Sequence, residues 1–159
     1  MAKRDPEPSD EPLVRDIMQT EVVTICPEAT VKEFAELLRR KKVGGAPVVD
    51  AENTLLGIAT DGDLMALDAE LHFPHYIQFL DSLIYIQSQK KFEERLRKAA
   101  AATVEDVMTR DVFTVKPDDL ARKAATLMSD HGIGRIPVEV DGKVVGIVTR
   151  HDVLRLLDL

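Results

Sequence analysis

The chain contains no tryptophan, and aromatic residues make up only 4% of it, so any core it forms has to be aliphatic. A single cysteine, Cys26, excludes an intrachain disulfide and suits a reducing compartment, which points to the cytoplasm. Positive charge is in deficit. The 28 acidic residues outnumber 21 Lys and Arg, and the net charge of -7 argues against nucleic acid as a partner. Long apolar runs are also missing: none approaches the ~20 residues needed to span a bilayer, and the N-terminus lacks an apolar signal core. What remains suits a folded unit. With 159 residues, 45% of them hydrophobic, the chain can make one compact domain or two small halves that share a core. Residues 1–12, with three prolines among alternating charges, read as an unordered tail.

A repeat organises the rest. Residues 14–67 match a second stretch about 90 positions later, and internal similarity of this kind fixes the architecture. "VRDIM" meets "VEDVM", "VGGAPVVD" meets "IGRIPVEV", and, after a one-residue deletion in a turn, "GIATDGDL" (57–64) meets "GIVTRHDV" (146–153). The local signals recur as well. "VVTI" (22–25) and "VFTV" (112–115) read as strands stopped by Pro27 and Pro117. Thr30 with Glu33 forms a capping box ahead of an apolar helical stripe that Gly44 should end. In the second half Asp118 or Asp119 should cap the matching helix, and Gly132 or Gly134 should end it. Two strands and a closing helix follow in each half, and Asp141-Gly142 is a strong hairpin turn. The expected fold class is α+β: two pseudo-symmetric strand-helix-strand-strand-helix repeats, 13–69 and 103–159, packed through their sheets around one core.

Thr60-x-x-Asp63 and Thr149-x-x-Asp152 stand where a strand meets a helix. A Thr at the helix cap with an acid three residues on satisfies two orphan amides, and that alone explains either motif. The same geometry suits a nucleoside phosphate. A helix N-terminus and a hydroxyl offer donors to phosphate, and a first-turn carboxylate can accept from both ribose hydroxyls. Gly57 and Gly146, just upstream, serve either tight strand packing or close approach of a ligand.

These residues resemble a tandem pair of CBS domains, a Bateman module. The resemblance is carried by "VRDIM" and "VEDVM", "GGAPVVD" and "GRIPVEV", "GIATDGD" and "GIVTRHD", over 13–67 and 103–157. It implies a sensor of adenosine compounds (AMP, ADP or ATP) bound in clefts between the repeats, in a module that commonly forms a disc-shaped homodimer. By that analogy Asp63 and Asp152 would hold the ribose, and Thr60 and Thr149 the phosphate. The base would lie among Thr24, Ile25, Val43 and Ala46 in one repeat, and Thr114, Val115, Ile133 and Ile136 in the other. The two sites differ in charge. The first carries Asp61-Gly62 and Gly45, while the second carries Arg150-His151 and Arg135, so a phosphorylated ligand should favour the pocket of Thr149, Arg150 and Asp152. Whether Arg135 serves its own repeat's cleft or the other one stays open at this point.

Residues 70–102 read as a helical insert. Tyr76 to Ile86 is apolar, Lys90 to Ala102 is charged and rich in helix formers, and the apolar part should pack on protein rather than on a membrane. His72 and His75, with a proline between them, make a weak metal motif, and no metal site is expected. The leading expectation is a non-catalytic regulatory module without a cofactor of its own; its adenine nucleotide can bring magnesium with it. Its partners would be that nucleotide, a second copy and an effector protein. The alternatives are an assembly module with empty clefts, or a sensor of S-adenosylmethionine or a cyclic dinucleotide.

Overall fold

The computed structural model describes residues 11–71, 76–79, 82–85 and 101–156. In the first half, α1 (Val14–Ile17), α2 (Val31–Lys41), β1 (Gly45–Val49), β2 (Leu55–Thr60) and α3 (Asp61–Leu71) follow one another. Next come β3 (Tyr76–Phe79) and β4 (Ser82–Tyr85). The second half repeats the first with α4 (Val104–Val107), α5 (Ala121–His131), β5 (Arg135–Val140), β6 (Lys143–Thr149) and α6 (Arg150–Leu154). Each half is an antiparallel ribbon, β1 with β2 and β5 with β6, covered by helices, and the α+β class holds.

Local chemistry sets most boundaries. Thr30 accepts from the Glu33 amide while Glu33 accepts from the Thr30 amide, so α2 starts on the expected capping box. The helix stops earlier than Gly44, at Lys42, which takes the left-handed conformation with φ 54°. In the second half Gly132 fills that role with φ 63°. Neither Asp118 nor Asp119 caps α5. Its N-cap is Leu120, and Asp119 instead accepts from the Lys116 amide and the Lys123 ammonium. Asp141 (φ 51°) and Gly142 (φ 78°) form the expected hairpin turn. The two expected first strands shrink to single parallel bridges, Ile25 with Val48 and Val115 with Val138.

Expectation and structure part company over the core. There are two clusters rather than one, and each contains the leading helix of the opposite half. Val14 and Ile17 pack with Val115, Ile136, Val138 and Val148, while Val104 packs with Phe34, Ala46, Val48 and Ala59. The exchange is fixed by backbone bonds. The amides of Val14 and Arg15 donate to Asp119 and Pro117, and those of Val104 and Glu105 donate to Ala29 and Pro27. Past each helix the chain bridges the other ribbon, Gln19 with Ile147 and Thr109 with Ile58. These apolar segments are therefore consumed inside one chain and do not form an open surface.

The exchange also settles Gly57 and Gly146. A Cβ on Gly57 would lie 2.7 Å from the Thr109 carbonyl and 2.8 Å from the Met108 sulfur, and one on Gly146 would lie 2.7 Å from the Met18 sulfur. Both glycines make room for the crossing segment, not for a ligand.

Two further expectations change. Glu11 and Pro12 touch the second half, where Glu11 pairs with Arg122 and the Pro12 carbonyl accepts from Ala121. Residues 76–79 and 82–85, expected as helix, form the β3–β4 ladder with Tyr76 opposite Tyr85 and Ile77 opposite Ile84. Aromatic and β-branched residues at those positions favour the pleated form over a helix. Residues 1–10, the His72–His75 motif and the charged stretch from Lys90 lie outside the described residues, apart from Ala101 and Ala102.

Candidate functional site

Because each leading segment crosses over, the mouth of each Thr-x-x-Asp motif is walled by the opposite half. The larger cavity, about 440 Å³, contains Thr60, Asp61 and Asp63 at the β2–α3 junction. Its other walls are Thr109, Asp111–Phe113 and Gly132–Arg135 from the second half, together with Arg150. The smaller cavity, about 280 Å³, contains Thr149 at the β6–α6 junction, facing Gln19, Glu21 and Val23, then Lys42–Gly45.

The two cavities are images of each other under the repeat. Ile58 and Thr60 correspond to Ile147 and Thr149. Thr109, Asp111 and Phe113 correspond to Gln19, Glu21 and Val23, and Gly132 to Arg135 correspond to Lys42 to Gly45.

The motifs themselves differ in readiness. Asp63 is half-buried and lines the larger cavity, where it accepts from the Thr60 amide at 2.7 Å and the Thr60 hydroxyl at 3.1 Å. Asp152 makes the same bonds to Thr149, both at 2.8 Å, but is only 2% exposed. The Gln19 amide covers it, with Nε2 at 3.1 Å from each carboxylate oxygen. Asp152 does not line the smaller cavity.

One cation falls where sequence reasoning did not put it. Arg150 follows Thr149 in sequence but lines the cavity of Thr60 and Asp63, and its Nε donates to the Ile133 carbonyl at 3.3 Å. Arg135 lines both cavities. The expected pocket of Thr149, Arg150 and Asp152 is thus split: Arg150 belongs to the opposite cavity and Asp152 is sealed. His151 is exposed and lines neither cavity.

Of the apolar set, Ile133 lines the larger cavity and Val43 the smaller. Ala46, Val115 and Ile136 are core residues, at most 1% exposed. Thr24, Ile25 and Thr114 line neither cavity. Sequence reasoning missed Phe113, which is 40% exposed on the wall of the larger cavity and stacks on His131 at a centroid distance of 4.0 Å. It also missed Gln19. The signal that could have found them is the crossing of the leading segments, which a linear reading does not show. Among the described residues no three His, Cys, Asp or Glu side chains converge to hold a metal, and no helix is long and apolar enough to cross a membrane.

Comparison with known proteins fits this geometry. The CBS domain family matches residues 14–70 and 104–159. An uncharacterized protein of Methanocaldococcus jannaschii, MJ1426, is 33% identical over 91% of this chain and 90% of its own length. Two further curated relatives are longer, and the chain spans 42% and 56% of them. Among solved structures, CBSX2 of Arabidopsis thaliana in complex with AMP superposes with a TM-score of 0.70 at 30% identity, covering 91% of this chain and 95% of that one. The CBS domain pair of MJ0100, in complex with 5'-methylthioadenosine and S-adenosyl-L-methionine, superposes with a TM-score of 0.70 at 28% identity, covering 92% and 96%.

Proposed function

The chain belongs to the CBS domain family, as a tandem pair, and from that premise we propose that it is a non-catalytic regulatory module that binds an adenosine-containing ligand first in the larger cavity. The observation that carries this reading is Asp63: a carboxylate open to a cavity, fixed by Thr60 at a helix start and flanked by Arg135 and Arg150. Its free lone pairs suit the two hydroxyls of a ribose, and the guanidinium groups suit a phosphate. Phe113 and Ile133 offer apolar wall to a base. The volume, about 440 Å³, lies within the range of small-molecule sites, and the smaller cavity at 280 Å³ lies just below it. The AMP held by CBSX2, a relative of this fold and family, supports the ligand class.

A second reading draws on the same walls. Asp61, Asp63 and Asp111 set three carboxylates against two arginines, a balance that also tolerates a cationic ligand such as S-adenosylmethionine, the compound held by the MJ0100 pair. Thermal shift and titration calorimetry with adenosine, AMP, ATP and S-adenosylmethionine separate the readings. Stabilisation by AMP above adenosine supports the first, and stabilisation by S-adenosylmethionine alone supports the second. Silence from all four rejects both and leaves an assembly module. A nucleotide hydrolysis assay tests the absence of catalysis. The same reading includes a homodimer, an effector protein as the downstream partner, and a cytoplasmic setting.

A further inference from the structure

Among the described residues, Arg135 is the one side chain shared by the two cavities. Its backbone opens β5 opposite Thr149. Its guanidinium lies across the pseudo-twofold over β1. A Cβ built on Gly44 would meet Nη2 at 2.6 Å, and one built on Gly45 would meet Nη1. Position 45 is the repeat counterpart of position 135. Perfect symmetry would call for two arginines here, yet the space holds one guanidinium, and Gly45 is what leaves room for it. The other cations are private: Arg150 lines only the larger cavity and Lys42 only the smaller. Asp61 is near the shared group, its Oδ2 lying 3.2 Å from the same built position on Gly44.

Resting on the ligand class assigned above, we propose that the two cavities compete for Arg135. A phosphate in one cavity draws the guanidinium toward itself and removes a bidentate donor from the other. Guanidinium and phosphate match as fork to fork, and one fork cannot be aimed at two phosphates at once. The two binding events are therefore negatively coupled, reciprocally, and the coupling follows the ligand's phosphate rather than its adenosine. A nucleoside without phosphate places no demand on Arg135, so its two binding steps reflect only the difference in shape between the cavities.

Calorimetric titration of the full chain with adenosine and AMP tests this, on the wild type, Arg135→Ala and Arg135→Lys, each first shown to melt cooperatively. In the wild type the gap between first and second dissociation constants should be at least tenfold wider for AMP than for adenosine, about 1.4 kcal/mol. A second AMP too weak to detect beside two adenosines counts in favour as well. Arg135→Ala should narrow the AMP gap to that of adenosine, and Arg135→Lys, which keeps charge but not the fork, should fall between. Equal gaps for the two ligands, tighter binding of the second AMP, one site for both ligands, or a gap untouched by Arg135→Ala would each overturn the competition while leaving the ligand class standing. No binding of any adenosine compound would overturn the proposed function and the competition with it.

Discussion

Asp63 and Asp152 occupy the same position in the repeat and meet different surroundings. The first faces a cavity, while the second lies under the Gln19 amide. Hydrogen bonds to a charged group contribute roughly 1.5–3 kcal/mol each. Asp63→Ala should therefore weaken the tightest binding of an adenosine compound at least tenfold, and Asp152→Ala should barely change it; calorimetry of the two variants decides. The opposite ranking would show that Gln19 yields readily to ligand. Gly57 permits a simpler test. A methyl there meets a backbone carbonyl at 2.7 Å, which cannot swing aside as a side-chain tip can. Overpacking of this kind costs about 1–3 kcal/mol, so Gly57→Ala should lower the thermal midpoint. Thr60 and Asp63 were legible because the motif is four residues long and stated twice. Gln19 was not, because 133 residues separate it from the carboxylate it covers.

At the level of helices and turns, short-range chemistry was legible and partners were not. The Thr30–Glu33 box and the Asp141-Gly142 turn need only neighbours in sequence, and both are present. "VRDIM" and "VEDVM" were visible as a repeated pair, but nothing local says that each is covered by the other half. The apolar run at 76–85 carried no period that separated strand from helix. Turn and cap carboxylates give a prediction in pH. The backbone amide of Thr54 beside Asp50, that of Thr103 beside Asp106, and the Lys123 ammonium beside Asp119 hold these three carboxyls below the ordinary value of 3.8. The unfolded chain then binds more protons than the folded one in that range. Stability from these groups is complete above 3.8 and drains away as pH falls through the folded values. Thermal midpoints should hold down to about pH 4 and then drop, with a shallower drop in the triple Asp→Asn variant.

For the whole molecule, Met65 on α3 and Leu154 on α6 are counterparts in the repeat, 65% and 57% exposed. With the leading segments spent inside the chain, these closing helices are the apolar faces on which the proposed homodimer rests. Met65→Glu with Leu154→Glu should sediment as a monomer at micromolar concentration while the parent sediments as a dimer; a monomeric parent rejects the dimer outright. The exchanged helices act on stability at the same scale. Val104 is fully buried in the first half's core, and losing its two buried methyls in Val104→Ala should cost about 1.5–3 kcal/mol. Hydrogen exchange should then rise around Phe34 and Val48 rather than around Val104's own repeat.

That exchange has a consequence for synthesis. A ribosome delivers Leu64 and the rest of the first core 40 residues before Val104, an interval of roughly 2–8 seconds at ordinary elongation rates. Through that interval the nascent first half has the residues of its ribbon and α2 but none to fill the place of Val104. Val14, meanwhile, waits for a core that runs on to Val148, Val153 and Leu156. Neither core has all its residues until both halves have been made, so the chain should commit to its fold only when both have left the tunnel. A fragment ending at residue 71 should accordingly melt without a cooperative transition.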